Sequence, residues 1–548
     1  MKANDFFYPK FFSLLRTGIN RNQIVQDALA GVVVGIVALP LCIAFAVASG
    51  VAPERGIITG ILAGFIISIL GGSRVQIGGP TGAFVILIFG VVQTYGFDGL
   101  FFSTIIAGIF LILFGLLRMG NLLKFIPHPL ITGFTSGIAV VIFSTQIKDA
   151  LGLPIDKVPA DFIEKWTLFI RHGRELNPYS LALALASIAI ILILRRVTNR
   201  IPGSFIAIIF MSLIALFFRL PVETVGSLYG AIPRSLQIGI PVFDLTSLPA
   251  YLQAGLAIAL LGGIESLLSA TVADGMISGN HRSNTELIAQ GIANIVSPLF
   301  GGIPATGALA RTAANVKNGG RTPLAGIVHS LTLLSIMLFL GPYAVYIPMS
   351  CLAGILIVVA YDMSELHAFK SYLKGNIYDR LILLVTFLLT VFVDLVAAIE
   401  VGIVLSSLLF MKRMSDIAEK RIDDVVDRDI IEDYSSLSSH IGIYEISGPL
   451  FFASARRYIE LMKELGIRKE VIIIRMRHVA FIDKTAMNTF ADALQFLHTR
   501  KISIVLSGLN GEVEEKLRKN GIDRWIPDEN ICDSFKEAIA KAESLKKP

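Results

Sequence analysis

Apolar residues fill this chain in long runs, such as Ile105 to Leu117, Leu181 to Leu194 and Leu324 to Leu340, each flanked by Arg, Lys, Pro or Gly. A helix needs about 20 mostly apolar residues to cross the hydrocarbon of a bilayer, and runs bounded in this way predict membrane-crossing helices. Counting them between Ala28 and Met411 predicts about twelve full crossings. Two more segments, Gly78 to Ile88 and Gly301 to Ala314, are short and broken by Gly and Pro, and they bring the number of elements to about fourteen. Each follows two crossings of its own half, and both carry Gly-Gly and then Pro, Thr and Gly. This predicts a duplicated fold.

The pattern changes at both ends. Residues 1–27 hold aromatic and basic side chains such as Phe6, Phe7, Lys10 and Arg16, without the compact apolar core of a signal peptide, and predict an amphipathic lead-in at the membrane surface. After residues 28–411, the membrane domain, Lys412, Arg413, Lys420 and Arg421 mark a cytoplasmic exit. Asp423, Asp424, Asp427, Asp429, Glu432 and Asp433 then make residues 412–436 an acidic linker. Over residues 437–548, short apolar strands (441–446, 471–476, 502–506) alternate with helical patterns (455–465, 485–499, 512–519), predicting a small α/β domain.

Composition agrees with a chain mostly in lipid: 54% of the 548 residues are apolar and 16% charged. The net charge of +6 sits in short loops beside apolar runs, where basic residues set membrane orientation, so nucleic acid is not an expected partner. Cys42, Cys351 and Cys532 have neither metal-ligand nor disulfide spacing. His128, His281 and His329 are expected at helix ends or loops, forming no metal site. No nucleophile–base pairing, metal cluster or phosphate loop stands at a recognisable spacing, which argues against an enzyme and against a cofactor.

Paired interrupted segments in the two halves of a membrane protein point to a transport site, because broken helices expose backbone N–H groups at mid-membrane. Two helix N-termini would offer partial positive charge and free donors to an anion, with donors expected near Thr81, Gly307 and Ala308. Gly79, Gly82 and Gly307 would admit a ligand close to the backbone, and the Thr81 and Thr306 hydroxyls could donate to its oxygens. The plainer alternatives are tight turns and close helix packing. Arg311, one turn beyond the second break among uncharged neighbours, suits an anion pocket; otherwise it is an arginine snorkelling to headgroups. Glu265 lies mid-run between Ala254 and Ala273, where a carboxylate is costly and usually functional, and Ser269 shares its face one turn on. An ionised Glu265 would repel an anion, so the expected coupling is symport with protons; the alternative is a hydrogen bond between helices. Asp274 is expected to be structural, as are Asn284, which suits a helix cap, and Glu286 and Gln290; Asp394 and Glu400 are expected to brace a turn, with a place in the gate as the alternative.

Three stretches together carry a family resemblance: Gly78-Gly-Pro-Thr-Gly82; Pro127-His-Pro-Leu-Ile-Thr-Gly-Phe-Thr-Ser-Gly137; and Glu265-Ser-Leu-Leu-Ser269 through Asn284–Asn294 into Arg311. Over nearly its whole length the chain resembles the sulphate permease (SulP) anion transporters. Its tail resembles the STAS domain that closes such carriers, with Phe481-Ile-Asp-Lys-Thr-Ala486 at the signature loop. The resemblance implies an α-helical multi-pass fold of two inverted seven-segment repeats, about 28–219 and 250–411, forming core and gate domains. It implies a homodimer in the cell (inner) membrane with N-terminus and tail cytoplasmic, and places Phe45 against the substrate cavity. Asp483 and Thr485 match the phospho-acceptor loop of anti-sigma factor antagonists, making Thr485 a candidate phosphosite and the tail a candidate docking module for cytoplasmic partners. The stretch from Glu265 to Arg311 looks most like carriers of C4-dicarboxylates such as succinate, fumarate and aspartate. Sulphate or bicarbonate carriage, by symport or exchange, and an uncoupled anion channel are the alternatives. Leu41 makes the pocket less polar than in many sulphate carriers. Sodium-coupled bicarbonate members have Asp where this chain has Glu265 and a hydroxyl where it has Leu309, and both departures weigh against sodium as the coupling ion.

Overall fold

The computed structural model describes residues 7–121, 127–155, 158–159, 161–197, 203–230, 239, 241–242, 244–393, 395–424, 438, 440–451, 455, 458–460, 462–463 and 469–545. The chain forms two units, Met1–Ile403 and Val404–Pro548.

The first unit opens on an amphipathic helix α1 (Lys10–Thr17), followed by α2 (Arg21–Ala48) and α3 (Pro53–Leu70). A two-residue strand β1 (Gly78–Gly79) leads into α4 (Gly82–Leu116). Next come α5 (His128–Leu151), α6 (Phe162–His172), α7 (Pro178–Val197), α8 (Gly203–Phe217) and the short α9 (Val225–Tyr229). The second half repeats the opening order of helix, helix, strand, helix: α10 (Leu248–Ile277), α11 (Ser283–Leu299), β2 (Thr306–Gly307) and α12 (Leu309–Lys317). Then follow α13 (Leu324–Leu340), α14 (Met349–Met363), α15 (Leu366–Leu373), α16 (Ile377–Phe392) and α17 (Leu395–Asp424), so helix extends into the segment expected as linker. Among the described residues, eight helices are long and apolar enough to cross a membrane.

Two local features depart from a plain reading of the apolar runs. Helix α2 begins at Arg21, ahead of the first apolar run, because the Asn20 side chain caps it by accepting from Asn22 N at 3.2 Å. That extra turn carries Asp27 into the interior, where its carboxylate accepts from Arg321 N at 2.7 Å and from the Thr322 hydroxyl at 2.6 Å. Helix α4 bends at Gly96, whose φ of 68° and ψ of −172° suit glycine alone. The bend leaves a first piece, Gly82–Tyr95, of about 21 Å at 1.5 Å per residue, too short to cross a bilayer unaided. Helix α12, with 9 residues, is shorter still.

Helices α2, α3, α4, α10, α11, α12 and α13 pack into one group, and α5, α7, α8, α14 and α16 into another. Close approach inside the first group depends on glycine: a Cβ on Gly291 of α11 would stand 2.5 Å from the Gly108 carbonyl oxygen and 2.6 Å from Ile112 Cγ1 of α4. Gly291→Leu is expected to destabilise the protein by about 1–3 kcal/mol or more through overpacking, read as a lower apparent Tm of the purified transporter.

The second unit contains a parallel four-stranded sheet in the order β3 (Ile441–Ser447), β4 (Val471–His478), β5 (Ser503–Ser507), β6 (Ile531–Cys532). Alternate residues of β4 serve two cores. Ile472, Ile474 and Met476 meet the helices Lys484–Thr499 and Gly511–Lys519, while Val471 and Ile473 meet Phe535–Ser544. Of the expected helix over 455–465, residues 456–457, 461 and 464–465 lie outside the described residues. All three cysteines are free and buried, and burial pushes the Cys532 thiol up from its ordinary range.

Candidate functional site

The two broken segments meet. Strands β1 and β2 pair antiparallel, Gly78 with Gly307 and Gly79 with Thr306, and the Ala308 N–H extends the contact by donating to the Ile77 carbonyl at 2.9 Å. Helices α4 and α12 therefore begin side by side, with Thr81 and Ala308 as N-caps, and neither side chain caps its helix. The first N–H groups of a helix have no partner within it. Here the Gly307 N–H donates to Ser266 Oγ at 3.0 Å and that of Ala308 to Ile77, so these two expected donors are engaged inside the protein. The unengaged donors are those of Gly82 and Ala83 on α4, and of Leu309 and Ala310 on α12, among the described residues.

Glu265, half-buried on α10, reaches this junction: the Thr81 hydroxyl donates to its Oε2 at 3.0 Å. Arg311 does not snorkel. It is 2% exposed, its Nη2 donates to the Pro80 carbonyl, and Nη1 is buried without a partner among the described residues. Gly79, at φ 150°, leaves room for that guanidinium, which a side chain at 79 would strike. Phe45 of α2 and Met363 of α14 cover Gly82, where a Cβ would stand 3.3 Å from Phe45 Cε1 and 3.4 Å from Met363 Cε. Met363 was not foreseen: it closes an ordinary apolar run, and only the packing of α14 against α2 brings it here.

Two expected site hydroxyls have other work. The Thr306 hydroxyl donates to the Gly262 carbonyl at 3.0 Å and lies 2.6 Å from Ser266 Oγ, both inside α10. Ser269 donates to Thr312 Oγ1 at 3.3 Å, and Thr312 accepts from the Ile77 N–H at 3.1 Å, so the Ser269 hydroxyl fixes the approach to β1 and is not hydrogen-bonded to Glu265. A residue one turn away shares a helix face, but its hydroxyl turns to the nearest acceptor. Ser266, which sequence reasoning passed over, joins α10 to β2. Ser266→Ala is expected to leave the buried Gly307 N–H without an acceptor and cost about 1–3 kcal/mol, again read as apparent Tm.

The flanking loops are held by buried polar groups. Asn294 accepts from Ala305 N at 2.9 Å and donates to Ala305 O at 2.8 Å, and Thr59 accepts from Ile303 N at 2.7 Å. Glu286 accepts from the N–H groups of Gly72 and Ser73 and from Gln290 Nε2, and Asn284 accepts from Gly120 N, so Asn284 ties down a neighbouring turn and does not cap its own helix. Asp274 accepts from both the backbone N–H and Nδ1 of His281, each at 2.7 Å. His329 departs from expectation. It lies inside α13 and is 0% exposed. Asp394 lies outside the described residues, and Glu400 is exposed on α17. In the second unit Asp483 caps the helix Lys484–Thr499 by accepting from Ala486 N at 2.7 Å, leaving Thr485 exposed in its first turn.

The model of the sulfate permease family matches residues 24–386, which include both half-helices, Glu265 and Arg311. The chain belongs to the sulfate permease family. The STAS domain model matches residues 436–538. Among relatives of this family member, "Putative sulfate transporter YvdB" of Bacillus subtilis is 39% identical over 523 residues, 95% of this chain and 98% of that one. "Bicarbonate transporter BicA" of Picosynechococcus is 28% identical over 552 residues, 96% of this chain and 95% of the other. The solved structure of SLC26A9 superposes with a TM-score of 0.88 at 19% identity, covering 99% of this chain and 94% of that one, and so shares the fold. The transmembrane domain of a cyanobacterial BicA superposes at 0.63 with 30% identity over 70% of this chain and 98% of that one. The protein is thus a multi-pass membrane anion transporter with a C-terminal STAS domain, in a family of transporters and not of enzymes.

Proposed function

We propose that this protein is a secondary active transporter of a small inorganic oxyanion, sulphate or bicarbonate, coupled to protons through Glu265. The observation that carries the reading is the Thr81–Glu265 hydrogen bond at the N-terminus of α4. An ionised Glu265 places the protein's own negative charge where a substrate anion would gain most from the helix dipole and the free N–H groups of Gly82 and Ala83. A proton on Glu265 removes that competing charge and weakens the bond from Thr81, so that the hydroxyl can turn to the incoming anion. The charges match for bicarbonate, since Arg311 and ionised Glu265 cancel and one proton with one monoanion restores the balance; for sulphate one further negative charge falls to the helix N-termini or to a second proton.

The names of the relatives favour inorganic oxyanions. C4-dicarboxylates, to which the resemblance from Glu265 to Arg311 pointed, draw no support from these names. The basic exit at Lys412 and Arg413 supports a cytoplasmic tail, and a homodimer remains the arrangement expected from the family resemblance.

The test is uptake of labelled sulphate and bicarbonate into proteoliposomes, with succinate as competitor, under separately imposed proton and sodium gradients. Uptake driven by external acid supports the reading. Uptake driven by sodium alone, or preferential loading of succinate, overturns it.

A further inference from the structure

We infer that Lys165 is the anchor of a second anion site, a staging site through which oxyanions reach the half-helix junction from the Gly96 end of α4; this inference rests on the transport reading above. A cavity of about 490 Å3 opens between α4, α5, α6, α10 and α16, within the roughly 300–1,000 Å3 typical of small-molecule sites. Its α4 lining begins at Val85, one turn beyond Gly82, and continues to Tyr95 beside the bend. The wall is mostly apolar. Its polar members include Thr94, Thr145, Gln253 and Thr390, and its charged members are Lys165 and Asp161.

Lys165 is 1% exposed, and its ammonium makes no hydrogen bond or ion pair among the described residues. Lysines are almost never fully buried unless paired. It sits on α6 between two membrane helices, where a surface lysine could simply have turned outward to water. Asp161, one turn earlier, accepts from Glu164 N at 2.9 Å as the helix cap and forms no ion pair with Lys165. Burial lowers the ammonium from the usual lysine range, and Asp161 pulls only partly the other way. An ammonium without an ion-pair partner in a partly enclosed, mostly apolar cavity attracts anions more strongly than one in water. Asp161 offsets the ammonium only in part, so the partner that would complete it is an anion small enough to pass on to Gly82, and the ligand class is that of the transported oxyanion.

Trp166, next in sequence, donates from Nε1 to Ser144 Oγ at 3.1 Å and reports on this place. The chain's other tryptophan is Trp525. In full-length protein carrying Trp525→Phe, sulphate or bicarbonate added at constant ionic strength is expected to change Trp166 emission saturably. Lys165→Gln is expected to weaken that titration by about tenfold or more, Lys165→Arg to keep it, and Asp161→Asn to tighten it. Arg311→Ala should leave the titration in place while losing uptake, which separates this site from the central one. A titration lost with Arg311→Ala, indifferent to Lys165→Gln, absent for both anions, or weakened alike by Lys165→Gln and Asp161→Asn, as a structural ion pair would require, overturns the proposal. Uptake that survives Arg311→Ala counts against the central reading instead, whatever the titration shows.

Discussion

Glu265→Gln is expected to abolish the stimulation of uptake by external acid while leaving anion exchange across the membrane in place. The amide keeps the size of the side chain and can still accept from Thr81, so the packing of α10 against the junction is retained. It cannot ionise. The transporter is then held in the state that a proton would otherwise create, with no competing charge at the N-terminus of α4, and loading loses its dependence on pH. In the parent, uptake at low concentration should rise as external pH falls, because the proposed coupling makes the protonated carboxyl the form that accepts substrate. A coupling of about 1–3 kcal/mol between proton and anion corresponds to a 5–150-fold change in affinity, and Glu265→Gln should remove all of it. The measurement is initial uptake of labelled sulphate and bicarbonate into proteoliposomes across a range of external pH. Parallel pH profiles in parent and variant would sink the idea.

Arg311→Ala is expected to have the larger effect, lowering uptake at least about 100-fold. Arg311 forms no ion pair among the described residues, but it is the buried positive charge beside the junction, and a 100-fold loss corresponds to about 2.7 kcal/mol of lost attraction for the anion. Without it the uncompensated groups are Glu265, and then the substrate itself. The variant also removes the donor to the Pro80 carbonyl just before Thr81, so the start of α4 loses a brace. Lysine should rescue poorly, since a single ammonium cannot both reach the Pro80 carbonyl and keep a second planar donor free as Nη1 is now. Combining Arg311→Ala with Glu265→Gln should recover folded protein without recovering transport, as neutralising both residues relieves the stranded charge and leaves the site without attraction. Monodispersity and apparent Tm report the first effect, and uptake the second. Wild-type uptake by Arg311→Ala would place the guanidinium outside the transport site.

Much of this arrangement is legible in the sequence because lipid makes polar residues conspicuous. Glu265 stands alone in an apolar run, and the two Gly-Gly breaks stand out against helices that otherwise run without interruption. Arg311 is visible for the same reason. Less visible is how each polar group spends its hydrogen bonds. Thr306 and Ser269 resemble Thr81 on paper, yet the first turns back to Gly262 and the second to Thr312, because those acceptors are nearer than any substrate. Ser266, and Gln76 whose Nε2 donates to the Ser266 carbonyl at 3.1 Å, do not stand out in the sequence, and they matter only once β2 is laid against α10. Lys165 is hidden differently: it lies in a short amphipathic stretch where Asp161, Glu164 and Arg171 suggest a solvated helix face. Apolar patterning reports the environment of a segment, and a single buried cation in a mixed segment falls below its resolution.

The two-residue ladder joining Gly78–Gly79 to Thr306–Gly307 also bears on how the protein is made. At about 5–20 residues per second, a ribosome needs on the order of ten to forty seconds to go from the first strand to its partner. During that interval the opening half of the core is already entering the membrane with a stretch of unpaired backbone that hydrocarbon cannot accommodate. Membrane insertion of this transporter therefore has a built-in waiting period, in which the first broken segment stays in the company of water or an insertase until the second arrives.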